Sequence, residues 1–485
     1  MPQTREDTSQ QGHNSAINFQ PQVTSALANS QLRGNFDKAM TGLMHKRSSA
    51  FADWDLDALR DLGQAVRQRA LRQLPDLLEQ LESQCQANGI QVHWARDGDE
   101  ACRVITEICQ QRQAKTVIKG KSMVTEEMEL NAHLEQRGYS VLESDLGEYI
   151  VQMAKETPSH IIMPAIHKNT AEIAELMHSM TGVERREDAH YLTDQARQQL
   201  RKKFMQADVG ISGVNFAVAD SGTLCLVENE GNGRLTTTTP PCHIAVTGIE
   251  KVVPSLTDVA PLLSLLTRSA TGQSITTYVN MISRPRQPDE KDGPEAVHLV
   301  LVDNGRSNIY QDDELAQTLQ CIRCGACMNH CPVYTRIGGH AYGTTYPGPI
   351  GQVLMPQMLG LDQTPDFASA SSLCGSCGEV CPVRIPLPSL LLRLRREAVD
   401  GDKTRPSTVP GHGSKRSGLE SLIWTLWRVV HRHPTLYRLS TRLASQFRAL
   451  SPKRLGGWTR YRSAPKLAKT TLHSAMHARS GRQPS

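Results

Sequence analysis

The spacing of apolar residues changes along the chain, and each change predicts a different kind of element. Leu56, Leu59, Leu62, Val66, Leu71, Leu74, Leu78 and Leu81 recur at helical intervals, so residues 54–85 read as an amphipathic helix. Pro75 kinks or splits it, and Asn88-Gly89 supplies a stop. Alternation follows. Short apolar runs at 90–94, 116–119, 139–143 and 160–165 read as strands, separated by helical patterns at 97–111, 125–137 and 170–180. Thr125 is the expected cap of the middle helix, with Glu126, Glu127 and Glu129 at its positive end. A helix at 192–205 ends this part. Beyond it lies a stretch rich in Val, Ile, Gly and Ala, with a hairpin expected at Asp220-Ser221-Gly222-Thr223. Strands at 243–248, 251–253, 274–282 and 297–303 and a helix at 256–267 complete the pattern. Strands alternating with helices mean βαβ units, so residues 50–305 are expected to form an α/β domain around a largely parallel sheet.

The pattern then loses its sheet character. Short helices are expected at 312–319 and 351–359, and a basic amphipathic one at 388–399. This predicts a mainly helical domain over 306–400. Residues 401–418 have linker composition. From 419 to 450, Leu422, Leu426, Val429, Val430, Leu436, Leu439, Leu443 and Phe447 predict two helices divided at Pro434. The remainder of the 401–485 tail is expected to be disordered. So is the lead-in, 1–49, at most weakly structured, since its first residues are rich in Gln, Ser and Asn.

Composition adds three constraints. A chain of 485 residues is too long for one core, and with 5% aromatics its cores should be aliphatic. No apolar run of membrane-spanning length occurs, and the first 22 residues lack the apolar centre of a signal peptide. Charge is segregated: residues 401–485 hold 17 Lys and Arg against two acids, while the whole chain carries only +5. Such a tail suits an acidic partner or an anionic membrane surface, and it shows no base-reading module that would point to nucleic acid.

The chemistry is concentrated in cysteine. Seven of the 12 cysteines fall in two runs, Cys321-Ile-Arg-Cys324-Gly-Ala-Cys327-Met-Asn-His-Cys331-Pro332 and Cys374-Gly-Ser-Cys377-Gly-Glu-Val-Cys381-Pro382. The first is the C-x2-C-x2-C-x3-C-P spacing of bacterial-type iron–sulfur proteins, in which the fourth cysteine serves the other cluster. A structural zinc site uses four ligands, usually as two pairs, and does not match. By the crossing rule Cys321, Cys324, Cys327 and Cys381 hold one cluster, and Cys331, Cys374 and Cys377 the other. The second set is one thiolate short, because Ser371 stands where the repeat would place a cysteine. That cluster is then 4Fe–4S with an oxygen, solvent or distant ligand, or it is 3Fe–4S. Cys85, Cys102, Cys109, Cys225 and Cys242 are scattered and read as core residues. Cysteine used for metal and not for disulfides places the chain in a reducing compartment, the cytoplasm.

Weaker signals lie in the α/β part. Lys119-Gly120-Lys121-Ser122 between a strand and a helix suits an anion, or is a solvated turn; it lacks the P-loop spacing. Glu228-Asn229-Glu230-Gly231-Asn232-Gly233-Arg234 is either a hairpin turn or a small-anion or nucleotide site with Arg234 as charge partner. His167, without a visible carboxylate partner, reads as structural. A self-sufficient dehydrogenase is disfavoured by the lack of a Gly-x-Gly-x-x-Gly fingerprint.

Three features taken together resemble the iron–sulfur B subunit of the lactate-utilisation system. They are Lys119-Gly120-Lys121-Ser122-Met123, the stretch from Gly213-Val214-Asn215-Phe216 through Glu228-Asn229-Glu230-Gly231-Asn232, and the two cysteine runs. The resemblance spans about residues 50–400, and the tail is similar to that family's C-terminal segment. It implies a three-protein system oxidising L-lactate to pyruvate, with a cysteine-rich subunit and a related α/β subunit as partners. It implies an α/β domain similar to coenzyme A transferases and formyltetrahydrofolate cyclo-ligases, and two 4Fe–4S clusters on the seven cysteines divided as above. It implies no catalytic residue. The expected protein is an electron-transfer subunit, cytoplasmic or peripheral to the inner membrane face. The rival reading is a redox- or iron-sensing binding module with the basic tail as effector.

Overall fold

The computed structural model describes residues 17–400, 408–411, 418–452, 454, 459, 463–464 and 466–480. The chain divides into one compact unit through Ser414 and a second from Lys415.

Ten strands lie in the first unit: β1 Gln91–Ala95, β2 Thr116–Lys119, β3 Ser140–Glu143, β4 Val209–Gly213, β5 Phe216–Val218, β6 Thr223–Glu228, β7 Cys242–Gly248, β8 Val252–Val253, β9 Tyr278–Ile282 and β10 Ala296–Val302. Six make a sheet in the order β1-β10-β7-β4-β2-β3, and every pairing in it is parallel. Strands β7 and β10 are buried along their whole length. A central parallel strand covered on both faces must be apolar throughout, which is why their sequences do not alternate. The helix Gly98–Gln111 covers one face with Ala101, Ile105 and Ile108. The helix Leu256–Thr271 packs Val259, Leu262 and Leu265 into the larger core. A second sheet, β8-β5-β6-β9, is mostly antiparallel, and the β5–β6 hairpin turns at the expected residues.

Four expectations are corrected. The apolar run 160–165 is no strand: it forms turns lying on the cysteine loop, where His160 Nε2 bonds Asn329 Oδ1 at 3.1 Å. The run is apolar because it is packed, not because it is paired. The helix expected at 125–137 starts earlier and breaks: Met123–Glu127 is capped by Ser122, not Thr125, and Leu130–Glu135 follows after Glu129 adopts φ 51°. The lead-in contains two helices, Phe19–Ala28 and Ser30–Ala50. Phe36, Met40 and Leu43 form a narrow stripe on the second, and Phe36 sits edge-on to Tyr334 at 5.6 Å. Its polar remainder faces solvent, so composition alone suggested disorder. In the tail, where disorder was expected past 451, Leu472–Ser480 is helical; several tail residues lie outside the described set.

The cysteine-bearing segment is mainly helical and packs directly against the α/β part. A buried arginine ties the two: Arg67 donates to Val252 O at 3.0 Å, Leu319 O at 3.1 Å and Gln320 O at 3.3 Å. A second buried centre is Arg306, which holds Glu127 at 2.8 Å and Glu250 at 2.6 Å. Tyr346 donates its hydroxyl to Glu127 at 2.8 Å.

In the second unit, Gly418–Arg432 and Pro434–Gln446 are the two expected helices, and neither has a buried residue. Among the described residues no helix is long and apolar enough to cross a membrane.

Candidate functional site

The two cysteine runs fold into the same local shape. Arg323 and Leu373, each just before a cysteine, have φ 61° and 54°; Gly325 and Gly375, each just after it, have φ 74° and 91°. A left-handed glycine lets the loop curl tightly enough for the next cysteine to open a short helix, Ala326–Asn329 in one run and Ser376–Glu379 in the other. The repeat reaches Ser371. Its Oγ accepts the Leu373 N–H at 3.1 Å, as Cys321 Sγ accepts the Arg323 N–H at 3.4 Å. Ser371 therefore occupies the place of Cys321 in three dimensions as well as in alignment.

The seven thiols border two hollows. Cys321, Cys324, Cys327 and Cys381 line the first, walled by Ile322, Ile350, Val383 and Leu387. Cys331, Cys374 and Cys377 line the second, together with Ser371. Among the described residues no three His, Cys, Asp or Glu side chains close round a single metal ion. Thiols spread round a hollow suit a polynuclear cluster, whose irons are each met by a separate sulfur. Backbone amides point at the sulfurs: Ile385 N donates to Cys381 Sγ at 3.3 Å and Tyr334 N to Cys331 Sγ at 3.4 Å. Burial pushes the Cys381 thiol up to about 11 and Cys377 to about 12. Cys374 is shifted down instead, by hydrogen bonds from the Ser376 backbone and side chain, and is exposed. Burial in an apolar nest thus disfavours bare thiolates at most of these positions, and cationic iron would reverse that preference. The donor set and its surroundings fit clusters.

Next to the first hollow is a cavity of about 290 Å³ at the carboxyl ends of the parallel strands, where open α/β sheets bind ligands. Lys121 and Ser122 after β2, Asp145 after β3, Asn215 after β4 and Lys251 after β7 all line it. Arg323 and Ile161 line both the cavity and the hollow. Arg323 is 10% exposed at its side chain. Its guanidinium lies over the Tyr346 ring at 4.4 Å and reaches Glu250 Oε1 at 3.4 Å. Lys251 donates to Cys321 O at 3.3 Å, and burial, with Arg323 nearby, lowers it to about 7. At the other end, Glu230 keeps part of its side chain exposed. Its carboxyl is nevertheless enclosed enough, beside Asp145, to be pushed up to about 7.

The residues singled out from sequence divide between these places. Lys121 lines the cavity, but Lys119 is turned into the protein, where Glu126 at 2.7 Å and Glu143 at 2.8 Å hold its ammonium. Glu228 and Glu230 line the cavity, and Glu228 caps the helix Asn232–Thr238 through Gly233 N at 3.1 Å and Arg234 N at 2.9 Å. Arg234, expected as a charge partner, is exposed and outside the lining. His167 pairs with Glu156 at 2.7 Å and packs edge-on to His340 at 4.5 Å, away from the cavity. The five scattered cysteines are buried in the core. Sequence reasoning missed Arg323, Lys251 and Tyr346. Arg323 had a usable signal, a charged residue inside a cluster loop; Lys251 and Tyr346 had none.

Comparison with known families agrees with this layout. The LUD domain profile matches residues 78–302, a 4Fe-4S dicluster domain matches 317–385, and the C-terminal domain of lactate utilisation protein B matches 393–481. A solved structure of a DUF162 family protein from Deinococcus radiodurans covers 47% of this chain and 98% of its own, at 14% identity and a TM-score of 0.27, too low to carry an argument. Lactate utilization protein B from Bacillus thuringiensis (strain Al Hakam) and from Bacillus cereus (strain AH187) are each 43% identical over 437 residues, covering 90% of this chain and 89% of theirs. With identity of that level along nearly the whole of both chains, this chain belongs to the lactate utilization protein B family.

Proposed function

We propose that this chain is the iron–sulfur electron-transfer subunit of a complex that oxidises L-lactate to pyruvate. Cys321, Cys324, Cys327 and Cys381 would hold one 4Fe–4S cluster. Cys331, Cys374 and Cys377 would hold the second, which is 4Fe–4S with Ser371 or solvent as its remaining ligand, or 3Fe–4S. When bound, such clusters take and release single electrons, so a pair suits the two electrons lost when lactate becomes pyruvate with release of two protons. The observation that carries the reading is the unequal setting of the two hollows. The first is buried and shares Arg323 and Ile161 with the cavity. The second reaches the surface at Cys374, an exposed residue. That arrangement supports an inner station facing an organic donor and an outer one facing a partner subunit. The partners are a cysteine-rich subunit and a related α/β subunit, in the cytoplasm or at the inner membrane face. The α/β domain would be akin to those of coenzyme A transferases and formyltetrahydrofolate cyclo-ligases. The tail helices, with exposed Trp424, Trp427, Leu439 and Phe447 among arginines, would dock the acidic partner or the membrane surface.

The test is Cys324→Ser in the anaerobically purified complex. Loss of one cluster's EPR signal together with lactate-dependent reduction and growth on lactate is expected. Normal growth on lactate without that cluster would refute the proposal.

A further inference from the structure

The cavity beside the first thiol hollow is assigned nothing by the family reading, yet it is built for an anion at one end. We propose that it binds a short carboxylate carrying an oxygen at C2, with the carboxylate held by Arg323 and Lys251 at the wall shared with the hollow. The choice of ligand class rests on the lactate reading above; the site itself rests on its geometry.

Three observations support it. First, Arg323 Nη1 is a buried donor without a hydrogen-bond partner among the described residues. Its neighbour Nη2 has only the long contact to Glu250. A buried guanidinium nitrogen left unpaired is costly, and a carboxylate matches the guanidinium fork. Second, the Arg323 guanidinium is held at the cavity wall by stacking on the Tyr346 ring at 4.4 Å, while its left-handed backbone, φ 61°, belongs to the cysteine loop, since Leu373 repeats it in the other run. Third, Lys251 is 7% exposed and uses one hydrogen bond, to Cys321 O. An ammonium has three donors, so it can serve a second oxygen. The far end holds Asp145 and Glu230 with Lys121. Carboxylates there repel a second carboxylate and can accept from a hydroxyl, while Lys121 can donate to a keto oxygen. The volume, about 290 Å³, sits at the lower edge of small-molecule pockets, about 300–1,000 Å³, and suits a small metabolite.

The experiment is isothermal titration calorimetry of the full chain, anaerobically loaded with iron and sulfide, using sodium L-lactate, sodium pyruvate and sodium acetate. L-lactate or pyruvate should bind, with acetate about tenfold weaker for want of the C2 oxygen. Arg323→Gln should weaken binding about 10- to 100-fold, the loss of a charge-assisted bond. Thr271→Phe puts bulk into the cavity from the end of the helix Leu256–Thr271 and should abolish binding with iron content unchanged. It carries the test if Arg323→Gln fails to load iron. Three results would overturn the site: neither acid binding to loaded wild-type protein, acetate binding equally well, or Thr271→Phe binding like wild type. If no binding is found while the complex still oxidises L-lactate, the cavity assignment alone falls. If binding is found but the complex does not oxidise L-lactate, the functional reading falls and the cavity stands.

Discussion

Removing one buried cation should destabilise the wall that carries Arg323 and reverse the pH dependence of that region. Arg306 is 1% exposed at its side chain, as is Glu250, and Glu127 is 4% exposed. The Arg306 guanidinium donates to both Glu127 oxygens, at 2.9 and 2.8 Å, and to Glu250 at 2.6 Å. Although burial opposes its charge, Glu250 is held down at about 2, with Arg306 the largest of the cations responsible. Arg306→Met keeps much of the volume and deletes the charge. Breaking a buried pair by removing one partner costs about 3–5 kcal/mol. Two carboxylates share this partner, but Tyr346 still donates to Glu127 and Arg323 still faces Glu250. The same 3–5 kcal/mol range is therefore expected. The sign with pH follows from linkage. In the wild type the folded carboxyl lies below its unfolded value, so its stabilisation is present above the unfolded value and is lost as pH falls towards about 2. In the variant burial dominates, the folded value rises above the unfolded one, and stability is lost as pH rises instead. Urea midpoints of anaerobic, iron-loaded protein by circular dichroism, at pH 5.5 and 8.5, should show a larger deficit at the higher pH. A variant within about 1 kcal/mol of wild type at both, the size of an exposed ion pair, would refute the reasoning.

Three further outcomes are expected. Ser371→Cys should give the second hollow a fourth thiolate and suppress the 3Fe–4S EPR signal after brief exposure to air; an unchanged signal would mean that residue 371 does not face the cluster. Gly375→Ala meets no atom within 4 Å but must keep φ 91°, so it should cost about 1–2 kcal/mol through backbone strain alone, read as a lower urea midpoint of the loaded protein. Glu230 is pushed up to about 7 and Lys251 lowered to about 7 in the same cavity, so an anionic ligand should bind more tightly at pH 6 than at pH 8, as the carboxyl becomes neutral and the amine charged; calorimetry with Glu230→Gln should show a flatter dependence.

Much of the architecture could be read from residue order because local physics sets it. Strand–helix alternation forces a parallel sheet, and Asp220-Ser221-Gly222-Thr223 turns where its glycine permits. The cysteine spacing is itself a geometric statement, since a loop of that length carries its thiols at a cluster's separation. Ser371 followed from the same register. The errors came where an apolar or polar pattern served a distant partner. Residues 160–165 looked like a strand but are covered by the cysteine loop, and the second N-terminal helix needed only a three-residue stripe because Tyr334 awaits Phe36.

The cysteine runs, the parallel sheet and the basic tail were thus determined by sequence alone, each through short-range spacing or composition. Tertiary structure decided which charges face ligand. Lys119 and Lys121 are two residues apart and read as one basic turn, yet the first is enclosed by carboxylates while the second lines the cavity. Arg323 and Lys251 are 72 positions apart in sequence and meet at one wall only because the strand end at β7 packs against the first cysteine loop. No local pattern records such a meeting, since the free energy that enforces it belongs to the packing of two distant segments.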